Sequence, residues 1–347
     1  MEIATDELQR ILPRLYTLQS ISSTRIAKEL NFSISEVRKL FTKLYSQGLY
    51  LKPDVCISKM GLRPVIILVR RRARGIKRDK AIEVPFLKTA SVVPGYGVIF
   101  VLFLPLEARI VIDEVTVDEN AISIFYYFYK LRSRISPKFI EMLSHSLSEV
   151  AITPPSEAIP VDETKLIKRS RLDSLDLKIL EVVRSTPWIS MRELASTVGI
   201  KRLRRLESHV RHAEDLISGY GYAKVGSLSD YGVMKLLFYR CRDASMFARS
   251  VLTHPFTVVT AWSRSDVFIQ IYSPGRYGIL FHHVLGEIAP SYGCEEVAGF
   301  DVVKERDLYA ITSFPDVGVE YSKSVRGWVS TSSIKLSDIL SCVDWGR

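Results

Sequence analysis

Six histidines are the first candidates for chemistry: His145, His209, His212, His254, His282 and His283. His209 and His212 stand three apart, which on a helix puts both imidazoles on one face at a spacing that zinc sites use. The sequence places no third ligand near them, and they fall in an arginine-rich run. Phosphate contact or packing is therefore the expectation, and no metal is assigned. His282 and His283 are adjacent, so they point apart on a helix. The glycine stretches GYG (95–97) and GYGY (219–222) lack the spacings that wrap phosphates. Neither GxSxG nor HExxH occurs. Cys56, Cys241, Cys294 and Cys342 lie far apart with no CxxC, which suggests neither a zinc site nor a disulfide framework. No catalytic residue and no cofactor is assigned.

Cations give a stronger signal. Lys plus Arg number 48 against 38 Asp plus Glu, a net charge of +10 in 347 residues. The excess is focused: residues 1–60 carry +3, 61–88 carry +7 and 165–225 carry +6, while the remainder sums to −6. Focused positive charge fits a polyanion partner. Lys201, Arg202, Arg204, Arg205 and Arg211 line one helical face, with Arg192 just before; Arg38, Lys39 and Lys43 take comparable places earlier. Arg70, Arg71, Arg72, Arg74, Lys77 and Arg78 crowd a short segment that reads as an arm adding phosphate contacts. The aromatic run Phe125 to Tyr129 reads as a sheet face or a dimer contact rather than a stacking platform.

The elements that must position these residues come in two copies. Ile21 and Ala27 recur as Ile189 and Ala195 at an offset of 168, Gly61 as Gly232 at 171, and Pro85-Phe86 as Pro255-Phe256 at 170. A period this long marks duplication of a whole unit. Each copy opens with helices. In the second, Leu175, Ile179, Leu180 and Val183 follow an apolar helical spacing, Ser190 caps a short helix that Gly199 ends, and a third helix turns Leu203, Leu206, Val210 and Ala213 inward. In the first, helices are expected near 5–18, 23–30 and 34–46. Three helices followed by an extended stretch make a helix-turn-helix pattern with a wing, whose outer face can enter a major groove.

The rest of the second copy reads as βαββαβ: strands 233–241, 256–262, 267–272 and 294–303, with helices 243–255 and 275–289. The first copy follows with strand 64–69, a short helix 77–85, hairpin 87–93 and 98–104, a segment 106–115 that suits a helix or a strand, and strand 122–130. TPPSEAIP (153–160) and KLIKRSR (165–171) read as an exposed linker.

Asp173, Asp176, Ile179 and Leu180 match an Asp-x-x-Asp-x-x-Ile-Leu opening, and Ile217, Gly219 and Tyr220 an Ile-x-Gly-Tyr exit. On these residues the chain resembles the leucine-responsive/asparagine-type (Lrp/AsnC) transcriptional regulators, in a tandem, archaeal-type form. The resemblance covers 172–303, and 1–131 through the repeat. It implies a βαββαβ module that senses a ligand and oligomerises. Of the family's effector turn, Ser263 to Asp266 keeps only Asp266. An enzymatic branch, haem-pathway decarboxylases, shares the family's fold; its pocket is not visible in a sequence, and an enzyme is not expected.

The fold class expected is therefore α+β: winged helix-turn-helix domains at 1–60 and 172–227, each followed by a ferredoxin-like domain, at 61–131 and 228–313. A helix and linker fill 132–171, and a C-terminal extension 314–347. The function implied is sequence-specific binding of double-stranded DNA in transcription regulation, modulated by a small-molecule effector or by homo-oligomerisation through the ferredoxin-like domains. The alternative is an adaptor of the transcription or chromatin machinery that no longer binds DNA specifically. The longest apolar run, Val98 to Leu106, is far short of the roughly 18–20 residues that span a bilayer. No membrane partner and a cytoplasmic location are expected.

Overall fold

The computed structural model describes residues 5–46, 49–113, 118–132, 172–225, 232–252, 254, 257–302, 308–310, 321–322, 327–328 and 333–345. The linker stretches 153–160 and 165–171, and His145, lie outside the described residues. The chain is an α+β protein.

Three helices open each half. The first trio is α1 (Thr5–Thr17), α2 (Ser23–Leu30) and α3 (Ile34–Ser46). Asn31 ends α2 in the left-handed region at φ 57°, which its short polar side chain tolerates. The second trio is α5 (Ser174–Ser185), α6 (Met191–Val198) and α7 (Leu203–Glu214); α4 is the short helix Arg78–Glu83 between them. Asp173 with Asp176 and Ser190 with Glu193 form reciprocal capping boxes, satisfying backbone donors at the starts of α5 and α6. Leu206, Val210 and Ala213 are buried as their spacing requires, but Leu203 is exposed.

The strand after each trio is not a wing of its own copy. β1 (Leu49–Val55) pairs antiparallel with β9 (Ile217–Val225), Pro53 opposite Tyr220. Gly219 of β9 sits at φ 131°, where an added Cβ would lie 1.7 Å from the Tyr16 carbonyl oxygen at the end of α1.

Two five-stranded sheets follow. The first contains β2 (Leu62–Val69), β4 (Leu87–Val93), β5 (Gly97–Pro105) and β7 (Ile122–Tyr126). The second contains β10 (Gly232–Cys241), β11 (Thr257–Trp262), β12 (Asp266–Pro274) and β13 (Cys294–Val302), with helices α8 (Ala244–Val251) and α9 (Gly275–Ile288) between strands. The orders are β14-β4-β5-β2-β7 and β13-β10-β12-β11-β8. Each fifth strand comes from the other half: β8 (Tyr129–Arg132) pairs with β11, and β14 (Leu308–Ala310) with β4. The expected single strand 122–130 thus breaks at Tyr127 and Phe128, whose N–H groups donate to the carbonyls of Pro64 and Trp262, one in each sheet. Segment 106–115 supplies a strand, β6 (Arg109–Val111), not a helix.

Cores cross between the halves. The first sheet packs in one apolar cluster with the second trio, for example Val65 and Leu104 with Ile179 and Leu206. The second sheet clusters with the first trio, for example Leu237 and Trp262 with Leu12 and Phe41. A third cluster joins the two sheets face to face through Ile66, Leu68, Tyr127, Phe238 and Phe268. Phe125 meets Phe238 with ring centroids 5.2 Å apart, so the aromatic run serves sheet packing within the chain. Apolar burial at roughly 25 cal/mol per Å² makes each crossed cluster a strong tie between the halves.

One sequence expectation fails outright: Cys241 and Cys294, opposite one another on β10 and β13, form a disulfide. Cys56 and Cys342 are buried and outside any disulfide. The C-terminal segment straps onto the first half. β15 (Ser333–Lys335) runs parallel to β6, and β16 (Val343–Trp345) pairs with β3 (Ala73–Ile76). Among the described residues no helix is long and apolar enough to cross a membrane.

Candidate functional site

Where β8 crosses to the second sheet it carries Lys130 and Arg132 on one face, two positions apart, against β1 and the last turn of α5. β1 brings Lys52 and Asp54, again two apart and so on one face. Arg184 arrives from α5. Asp54 is fully buried; its Oδ2 accepts the Arg132 backbone N–H at 2.8 Å, and its carbonyl accepts the Ser218 hydroxyl at 3.1 Å. Phe103 of β5 adds an apolar wall, its ring centroid 5.9 Å from Lys130 Nζ.

The electrostatics are those of a desolvated cationic cleft. Burial pushes Lys130 down to about 8; Asp54 and Cys56 oppose the shift, while Arg132 and Arg184 reinforce it. Burial and the neighbouring Arg132 push Arg184 down to about 9, with Asp54 opposing. Lys52 is lowered by burial and by the same two arginines. All four cations nevertheless keep partial solvent access. The half-buried place where these four cations meet is called the recess below. Four cations from three elements converge there around the Asp54 carboxylate. Such a place favours an anion with several negative oxygens, because the guanidinium fork and the ammonium both donate to carboxylates.

The residues picked from sequence lie elsewhere. Arg192, Lys201, Arg202, Arg204, Arg205 and Arg211 are exposed on α6, α7 and the turn between them. Lys39 is exposed and Lys43 half-buried on α3, but Arg38 pairs with Glu193 of α6 at 2.9 Å, which turns the first trio's basic face toward the second trio. The expected phosphate arm is strapped down. Arg74 lies in β3, Arg70 donates to the Tyr96 hydroxyl at 2.7 Å, and Arg71 stacks on Trp345 with its guanidinium carbon 5.2 Å from the ring centroid. Arg72 is exposed beside β3, and Lys77 and Arg78 begin α4. Asp266 is committed to its own turn: its Oδ2 accepts from Ser265 at 2.9 Å and Ser263 at 3.3 Å, and Arg240 lies 3.7 Å away. His254 is buried on Phe281 and held neutral, its pKa pushed by burial down to about 3. The sequence reasoning missed Lys52, Asp54, Lys130, Arg132 and Arg184.

No family model and no curated protein matches the chain. It is similar to two solved structures. One is the siroheme decarboxylase NirDL in co-complex with an iron-uroporphyrin III analogue: 12% identity, 89% of this chain and 94% of that chain covered, TM-score 0.46. The other is siroheme decarboxylase NirDL: 12% identity, 92% and 96% covered, TM-score 0.42. At these values the likeness fixes neither a substrate nor an activity for this chain.

The Lrp/AsnC regulator expectation is nonetheless corrected. The similar structures are of a siroheme decarboxylase, one of them with an iron-uroporphyrin III analogue, and no regulator matches. Transcription regulation, its adaptor alternative, the DNA partner and the expectation that the chain is not an enzyme all go with it. The geometry agrees with the correction: the supposed wings pair with each other, and Arg74 of the arm lies in a paired strand. The sheet faces on which homo-oligomerisation rested are buried against one another within one chain, and the effector turn's carboxylate is already bonded.

Proposed function

We propose that the chain binds a small polycarboxylate in the recess formed by Lys52, Lys130, Arg132 and Arg184. The observation that carries this reading is the convergence of four half-buried cations from β1, β8 and α5. The carboxylates of a bound anion would gain strength there from the low local dielectric. The same reading takes each helical trio, 1–60 and 172–227, as a helix-turn-helix unit. The halves 61–131 and 228–313 are then ferredoxin-like sheets, the first with a strand, β6, where the second has α9, and the recess forms where a trio meets a sheet.

Calorimetric titration with acetate, citrate and uroporphyrin tests it. Affinity should rise with the number of carboxylates and fall with salt. Arg184→Gln should weaken citrate or uroporphyrin binding about tenfold, the worth of one charge-assisted hydrogen bond. Above about pH 8 affinity should drop as Lys130 loses its proton. Binding that ignores charge number and the Arg184 change would overturn the proposal.

One observation favours adding chemistry to binding. An ammonium with a pKa of about 8 is a proton donor poised near neutrality, and Lys130 is such a group. When a bound carboxylate loses CO2, the C–C bond breaks and its electron pair stays on carbon. That carbanion needs a proton, which Lys130 can give. Mass spectrometry of iron-uroporphyrin incubated with the protein tests this step: CO2 loss that Lys130→Met abolishes while binding persists supports it, and no loss with bound ligand rejects it.

A further inference from the structure

Asp173-x-x-Asp176 and His209-x-x-His212 lie on different helices, 33 residues apart between Asp176 and His209, and the packing of α5 on α7 brings them together. His209 Nδ1 lies 2.9 Å from Asp176 Oδ1 and 3.4 Å from Asp173 Oδ2. His212 Nδ1 lies 3.9 Å from Asp176 Oδ1. One donor atom each from Asp176, His209 and His212 falls within 4.8 Å of the others. In a tetrahedral zinc site with bonds of roughly 2.0–2.1 Å, donor atoms stand about 3.3 Å apart. The separations here bracket that value.

The way the carboxylates are held is a second, independent observation. The capping box uses one oxygen of each: Asp173 Oδ1 accepts the N–H groups of Leu175 and Asp176 at 2.8 and 3.0 Å, and Asp176 Oδ2 accepts the Asp173 N–H at 2.9 Å. The remaining oxygens, Asp173 Oδ2 and Asp176 Oδ1, are the two that face the imidazoles. Backbone bonds that fix a carboxylate while leaving one oxygen outward are the outer-shell support that ligating carboxylates receive. The Asp176 side chain is only 1% exposed, whereas that of His212 is 52% exposed, so the cluster is anchored at one end and open at the other.

We propose that Asp176, His209 and His212 bind a divalent first-row transition metal, with zinc the ion the donor set fits, and that Asp173, 3.4 Å from His209 Nδ1, positions that imidazole. One carboxylate and two imidazoles make a mixed oxygen and nitrogen set as zinc accepts, with a fourth position left for water. The site stands apart from the cationic recess and does not depend on it.

Metal-free full-length protein titrated with Co(II) and with Zn(II) tests the assignment. One equivalent per chain is expected, with the strong visible absorption of tetrahedral cobalt and a higher melting temperature. His212→Ala removes an exposed ligand outside both caps and should weaken uptake at least about tenfold with unchanged circular dichroism. Asp173→Asn keeps a good N-cap while removing the charge, and should weaken uptake likewise. No stoichiometric uptake by the unmodified protein overturns the proposal, as does uptake that both variants retain in full.

Discussion

Two junctions between helix and sheet hold equivalent places in the repeat, and only one is charged. At the first, Arg184 closes α5 over Lys52, Asp54, Lys130 and Arg132. At the second, Tyr16 of α1 stands 168 positions before Arg184. Lys130 and Arg132 pair with Ala261 and Val259, while Leu308 and Ala310 pair with Ser91 and Thr89, the counterparts of those residues at an offset of 170. Leu308 and Ala310 therefore take the register of Lys130 and Arg132. The fold closes at the second junction with no cation at these three positions. Charge at the first is not something the backbone demands, and it is expensive to desolvate. That difference is why the recess reads as a binding site rather than as packing.

The largest expected break is at the uncharged junction. Gly219→Ala drives a methyl group into the Tyr16 carbonyl at a positive φ, and should cost about 3 kcal/mol or more in urea unfolding. If stability holds, α1 and β9 are not in the close contact described. Next comes an asymmetry between the sheets. The second is stapled by Cys241–Cys294, whereas β2 and β7 of the first meet at Val69 opposite Ile122. Closing a loop of 53 residues should contribute about 2–4 kcal/mol, so Cys294→Ser should lower the melting temperature and make it insensitive to reductant. A melting curve that reductant never shifts in the unmodified protein counts against the staple.

Arg184→Tyr copies the second junction into the first. It should reduce polycarboxylate affinity about tenfold to a hundredfold, equivalent to about 1.4–2.8 kcal/mol, with little loss of stability. Unchanged affinity would mean that the two junctions do not differ in function. The smallest effect is a slope. Lys130 is depressed in the folded protein, so between about pH 8 and its ordinary value of 10.5 the unfolded chain binds more protons and stability rises with pH. Arg184 contributes with the same sign, and Asp54, Arg132 and Cys56 face Lys130 throughout. Lys130→Met should flatten part of that rise, measured as urea midpoints across the window.

Periodicity and capping residues were enough to find both helical trios, the hairpin 87–104 and the βαββαβ order of the second half, because those signals are local. Phe128, where the chain leaves one sheet for the other, carries no local signal; both neighbours suit a strand. The pairing of β1 with β9 was likewise hidden, since strand propensity does not name a partner. The cysteines are joined across 53 residues without a motif. Lys52, Asp54, Lys130, Arg132 and Arg184 span three elements and both halves. A sign was nevertheless present. Lys52 with Asp54, and Lys130 with Arg132, are charges spaced by two in otherwise apolar or aromatic strands, which sets each pair on one sheet face. The dense arginines of α7 drew attention because clustering in sequence is easy to see, whereas convergence in space is not.

The crossed cores have a consequence during synthesis. The first trio's apolar faces share one core with β9 and with a sheet whose opening strand begins at Gly232, more than 200 residues after α1. At roughly 5–20 residues per second, those faces wait on the order of ten seconds or longer before their partner leaves the ribosome. The first sheet waits in the same way for α5 to α7. A duplication whose halves each kept their own core could mature one half at a time. This one assembles late and all together, so the nascent chain must stay soluble with two unfinished cores, and a ribosome stalled between the halves releases a fragment with no finished core.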